Sequence, residues 1–151
     1  MRLSSFSDYS LRVLMYLGVH AGRLVTIAEI GGAYGISVNH LTKVVHQLGR
    51  LGYVETVRGK GGGIRLGKPA AQIPLGEVIR QTENDWALVE CFSTGTGCQI
   101  HAACRLPPIL DEALAAMFKV LDSYTLADLL QSPVDLTQAL PLRPAGQLAG
   151  A

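Results

Sequence analysis

Leu41, Val44, Val45 and Leu48 recur at i, i+3, i+4 and i+7 behind Ser37, and Gly52 closes the segment. That spacing makes one apolar stripe on a helix of about three turns, with a serine able to cap its start. Just upstream, Thr26 and Glu29 have the Thr-x-x-Glu spacing of a capping box. Ile27, Ile30 and Tyr34 sit at roughly helical spacing behind them, and Gly35 marks a tight turn. Two short helices joined by a glycine turn form a helix-turn-helix. The next segment of the chain narrows the fold further. Tyr53–Val57 and Ile64–Leu66 read as strands on either side of Arg58-Gly59-Lys60-Gly61-Gly62-Gly63. A hairpin with a basic glycine tip, appended to a helix-turn-helix, reads as a wing.

The flanking segments complete a mainly α fold. Ser5 and Asp8 have the spacing of an N-terminal cap, and the run through Leu11, Val13, Leu14, Met15 and Leu17 predicts a largely buried first helix to about Ala21. Leu75 to about Thr82 predicts a short helix. Pro107 and Pro108 suit the first turn of a longer one. There Leu110, Leu114, Met117 and Leu121 line a stripe with Ala113 and Phe118 beside it, opposite Asp111, Glu112, Lys119 and Asp122. Placed after a complete reading unit, this helix is expected to pair two subunits. Thr125 and Asp128 cap a further turn. The organisation predicted is a winged helix-turn-helix over 1–72, a linker helix and cysteine loop over 73–104, a dimerisation helix and short following helix over 105–132, and a flexible tail over 133–151.

Charge is divided along the chain. Residues 1–72 carry nine Lys/Arg against three Asp/Glu, whereas residues 73–151 carry four against nine. A basic front and an acidic back suit a protein whose front alone meets a polyanion. With the apolar stripe of the recognition helix turned inward, Asn39, Lys43, His46 and Arg50 face outward, with His40 and Thr42 on the flanks. Asn39 and His40, at the helix start, are placed for base edges, and Lys43 and Arg50 for phosphates. Ser37, Arg58, Lys60 and Arg65 complete the candidate DNA-contacting set. The glycine turn is not a P-loop, because Lys60 is followed by glycine instead of Ser or Thr. No apolar run is long enough to span a membrane. MRLSSFSDYS lacks a basic region leading into an apolar stretch, so a cytoplasmic location is expected. No nucleophile, base and orienting group can be assembled, so no enzyme is expected.

The three cysteines, Cys91, Cys98 and Cys104, lie in CFSTGTGCQIHAACRL with the spacing C-x6-C-x5-C. An odd, clustered set argues against a disulfide framework. The wide spacing is unlike the tight pairs usual for zinc. An iron–sulfur cluster, whose metal atoms lie apart and are held by thiolates, suits it better. A zinc site and redox thiols remain alternatives, as does a module that binds protein instead of DNA. Within the loop, His101 and Glu90 are candidates for a fourth ligand.

The stretches SFSDYSLRVLMYL, GISVNHLTKVVHQLGRLGYVETVRGKGGGIRLGKP, Cys-x-Ile-x3-Cys-Arg-Leu and SYTLADLL together resemble the nitric-oxide-sensing NsrR branch of the iron–sulfur winged-helix regulators, which also include the cluster-assembly regulator IscR. The resemblance runs over roughly residues 1–130. It implies a homodimeric repressor of double-stranded operator DNA with a [4Fe-4S] cluster, [2Fe-2S] being the alternative. It implies Cys91, Cys98 and Cys104 as ligands together with Asp8 of the partner subunit, and nitric oxide as the signal. The histidine that IscR-like members place three residues after the last cysteine is here Pro107. A regulator sensing redox or iron status through a cluster, zinc or thiol site is the second reading.

Overall fold

The computed structural model describes residues 2–89, 99–100, 103–131, 136 and 138. Its elements in chain order are α1 (Ser5–Val19), α2 (Ile27–Tyr34), α3 (Val38–Arg50), β1 (Val54–Val57), β2 (Gly63–Leu66), a 3-10 turn (Ala70–Gln72), α4 (Leu75–Thr82), α5 (Leu106–Asp122) and α6 (Leu126–Leu129). The fold is a winged helix-turn-helix, as the sequence predicted. Among the described residues no helix is long and apolar enough to cross a membrane.

Local chemistry sets most boundaries. Thr26 Oγ accepts from the Glu29 amide at 3.2 Å, and the Glu29 carboxylate reaches back to the Thr26 amide, closing the capping box of α2. Gly35 ends α2 in the left-handed region at φ 66°. Ser37 caps α3 by accepting from the His40 amide at 3.3 Å. At α1 the expected cap is displaced by one residue. Ser4, not Ser5, is the N-cap and accepts from the Ser7 amide at 3.2 Å. Tertiary contacts decide this: the Ser4 amide donates to Glu83 at 2.6 Å, and the Ser7 and Thr82 hydroxyls meet at 2.9 Å in a buried site. Asp8 instead occupies the first turn, where a negative charge suits the helix N-terminus.

One core runs from Val13 on α1 to Leu126 on α6, across the boundary expected at residue 72. It contains Leu14, Tyr16 and Leu17 of α1, Ile30 of α2, and Leu41, Val44, Val45 and Leu48 of α3, with Tyr53, Ile64, Ile73 and Val78. The wing pairs antiparallel with Val54 opposite Leu66 and Glu55 opposite Arg65. Val25, just before α2, adds an isolated rung to β2: its amide donates to Ile64 at 3.0 Å and its carbonyl accepts from Ile64 at 2.8 Å. A second bridge, between Pro74 and Thr125, fastens α6 to the start of α4.

Beside that rung, Arg23 and Tyr16 both donate to the Glu29 carboxylate, Tyr16 at 3.1 Å. Burial works to raise the Glu29 pKa, but Arg23, Tyr16 and the Thr26 amide outweigh it and hold the carboxyl below its ordinary value. Burial, reinforced by Glu29, pushes the Tyr16 phenol up to about 12. A carboxyl with a lowered folded pKa contributes stability that is present above its unfolded pKa and lost as pH falls through the folded value. Glu29→Gln is therefore expected to cost about 1–2 kcal/mol at pH 7. In urea titrations the gap from the parent should narrow as pH falls toward and below the ordinary carboxylate range. A gap independent of pH would mean that the charge of Glu29 contributes nothing.

Candidate nucleic-acid interface and cysteine site

Helix α3 is split cleanly by burial. Leu41, Val44, Val45 and Leu48 are buried, while Asn39, His40, Thr42, Lys43, His46 and Arg50 are exposed. The inward stripe fixes the helix against the core, which obliges the polar face to point to solvent. Ser37 is exposed too, with its hydroxyl engaged as the cap. The start of α3 also rests against α1, where the ring of Tyr9 lies 6.3 Å from that of His40. Tyr9 was not among the sequence candidates; only the tertiary contact between α1 and α3 reveals its place beside the reading helix.

The wing tip is built by glycine. Gly59 and Gly61 take φ of 103° and 78°, values that side chains rarely tolerate. A Cβ on Gly62 would collide with the Val57 carbonyl oxygen. Arg58 and Lys60 are exposed at this tip. Among the described residues the ion pairs take up Arg12, Arg23, Arg65 and Arg80, so Lys43, Arg50, Arg58 and Lys60 belong to none of these pairs. Arg65 differs from them. Its guanidinium grips Glu55 across the hairpin at 2.9 and 3.0 Å. Glu55 holds the Arg65 charge and Arg65 lowers the Glu55 pKa, but both side chains are half exposed, so the pair is screened. Arg65 thus braces the wing strands, while Arg58 and Lys60 carry its uncommitted charge.

Of the expected cluster ligands, Cys91 and Cys98 lie outside the described residues, as do Glu90 and His101 and the tail from 139 onward. Cys104 is half-buried, one residue before Arg105, the N-cap of α5. Asp8 is held by Arg12 one turn on, at 3.0 and 3.1 Å, and the Arg12 guanidinium lies 5.6 Å from the Tyr34 ring centre.

Helix α5 carries two adjacent apolar stripes. Leu110, Leu114, Met117 and Leu121, the stripe read from the sequence, are half-buried in the single chain. Phe118 is buried, edge-on to Trp86 at 4.7 Å and beneath the Arg80 guanidinium at 4.1 Å. Arg80 in turn holds Asp122 at 2.7 and 2.6 Å. Met117 and Leu121 line a cavity of about 530 Å³ with Leu3, Ile79 and Trp86. The large apolar residues of α5 left in water are Leu106, Ile109 and Val120, 47%, 57% and 58% exposed. Their spacing, i, i+3 and i+14, was legible in the sequence but competes with the neighbouring stripe.

The sequence pattern of the Rrf2 family, described as an iron-dependent transcriptional regulator, matches residues 3–132. The chain belongs to the Rrf2 family. This Rrf2 chain is similar to the HTH-type transcriptional regulator NsrR of Bacillus subtilis (strain 168), with 48% identity over 145 residues, 95% of this chain and 99% of that one. It is also similar to NsrR of Bacillus licheniformis, with 50% identity over 134 residues, 87% and 94% of the two chains. Among solved structures, T. potens IscR has the same fold, with a TM-score of 0.71 at 24% identity, covering all of this chain and 94% of that one. CymR (YrzC), the global cysteine regulator of B. subtilis, matches with a TM-score of 0.66 at 28% identity over 85% of this chain and 95% of that one. The Rrf2 chain is accordingly a transcriptional regulator, and the relatives named are regulators, not enzymes.

Proposed function

We propose that this Rrf2 regulator is a homodimeric repressor of double-stranded operator DNA whose binding is controlled by a nitric-oxide-sensitive iron–sulfur cluster. The observation that carries the DNA reading is the exposed face of α3 together with the wing. There Lys43, Arg50, Arg58 and Lys60 present charge outside the described ion pairs beside the base-reading candidates Asn39 and His40. Phosphate contacts set the register and base edges supply the sequence. Neutralising a phosphate releases condensed counterions, so Lys43→Ala and Arg50→Ala are each expected to lower the salt slope of operator binding by about 1 and to weaken all sequences alike. Anisotropy titrations across salt concentrations measure this. Unchanged slopes would remove both residues from the interface.

The donor chemistry fits a cluster. Three thiolates within one segment suit iron–sulfur ligation, and the one described, Cys104, is half-buried, neither sealed in the core nor fully in water. Cys91, Cys98 and Cys104, with Asp8 of the partner subunit, are the proposed ligands of a [4Fe-4S] cluster. When bound, the cluster supplies iron that reacts with nitric oxide. A carboxylate is a harder donor than thiolate and a weaker partner for iron, which leaves one position easier to open. The chain's own contribution is geometric. The cysteine segment lies between α4, packed on the reading unit, and α5, whose exposed Leu106, Ile109 and Val120 suit a subunit contact. The two α3 helices must sit about 34–36 Å apart, or a multiple of it, to engage both half-sites. The iron dependence in the family's description favours a cluster over the zinc and thiol readings.

The test is anaerobic purification with a visible spectrum and iron and sulfide analysis, followed by nitric-oxide titration in an operator gel-shift. Brown protein that releases DNA as its absorbance bleaches is the expected result. A colourless protein free of iron and labile sulfide, or undiminished binding after bleaching, would overturn the cluster reading.

A further inference from the structure

On the α3 reading face, Thr42 spends its side-chain proton on its own helix. Its hydroxyl donates to the Val38 carbonyl oxygen one turn back, at 2.8 Å. A hydroxyl has a single proton. Spent on Val38, it is not available to the acceptors that guanine N7 and O6 or thymine O4 present in the major groove. What Thr42 retains is a pair of acceptor lone pairs and its γ-methyl. A β-branched side chain is stiff at χ1, and bonding to the carbonyl four residues back selects the rotamer. The oxygen is therefore drawn against the helix backbone, and the methyl is the branch not held there. Thr42 is exposed and lines one open depression of about 450 Å³ with Lys43, His46 and Phe6. It thus shares the surface of two residues expected to meet DNA.

Resting on the operator reading above, we infer that Thr42 is a specificity residue that recognises the 5-methyl group of a thymine by apolar contact. Polar contacts at the same half-site come from Asn39, His40 and Lys43. Thr42 contributes discrimination between thymine and uracil, which present the same O4 acceptor and differ only in the methyl.

The experiment uses the cluster-loaded dimer, handled without oxygen, on an operator recovered by repeated selection from a random DNA pool. Each thymine is replaced singly by deoxyuridine and the dissociation constant is read by anisotropy. One position in each half-site is expected to lose about fourfold, the worth of burying one methyl group, and roughly 15-fold when both half-sites are changed. Thr42→Ser, which keeps the hydroxyl and lacks the methyl, is expected to abolish the discrimination. Thr42→Val, which keeps methyl groups and lacks the hydroxyl, is expected to preserve it. No methyl-dependent position, discrimination that persists in Thr42→Ser, or discrimination lost in Thr42→Val would each overturn the inference, the last by making the oxygen the reader. A wild-type protein that enriches no sequence would fail the operator reading and this inference together. Enrichment without methyl dependence would fail this inference alone.

Discussion

Cys98→Ala is expected to leave a folded dimer that has lost about a thousandfold in operator affinity. Folding should survive because the described core from Val13 to Leu126 is already closed by α1 to α4, the wing and α6. The predicted loss is large because two recognition helices no longer held at operator spacing fall back toward non-specific binding, typically 10³-fold or more weaker. Circular dichroism and sedimentation would report fold and assembly, and anaerobic gel-shift the affinity. A colourless Cys98→Ala protein that still held its operator at parental affinity would show that the cluster does not set the spacing.

Ile109→Asp is expected to split the dimer with little effect on the protomer. Ile109 is 57% exposed in the single chain, between Leu106 and the Val120 end of the same apolar stripe. Exposed substitutions of this kind usually change the stability of a fold by no more than about 0.5 kcal/mol. Asp also suits the first turns of α5, where the helix N-terminus favours negative charge. In a subunit contact, by contrast, it would bury an unpaired carboxylate, costing about 3 kcal/mol or more. That corresponds to a dimerisation constant weakened by roughly 100-fold or more. Sedimentation over a concentration series would show monomers. Operator affinity should fall with them, since a monomer holds one half-site. A dimer of parental strength would place the subunit contact elsewhere, and the stripe formed by Leu110, Leu114, Met117 and Leu121 would be the first alternative.

The helix-turn-helix and wing were readable because their signals are local. Thr26 and Glu29, Gly35, Ser37, and the glycines at 59 and 61 each act within a few residues of themselves, and the structure places each in the role its chemistry suggested. The polar face of α3 followed directly from its apolar one. Arg65 shows where such reasoning stops. A cation beside a basic turn reads as a phosphate contact, and only the hairpin register, with Glu55 directly opposite, shows that it is shared with a carboxylate. The start of α1 makes the same point, since Ser4 and Ser5 are equivalent as caps until Glu83 and Thr82 arrive from α4.

Local signals alone were enough to place the helices and the wing and to tell which side of α3 meets solvent, because caps, turns and periodicity act over one or two turns of chain. Which of two adjacent apolar stripes on α5 is kept inside depends instead on long-range packing. A helix carrying both can roll by about one residue without breaking a single backbone hydrogen bond. Its setting is chosen by what waits across the gap, here Trp86 packing on Phe118 and Arg80 gripping Asp122.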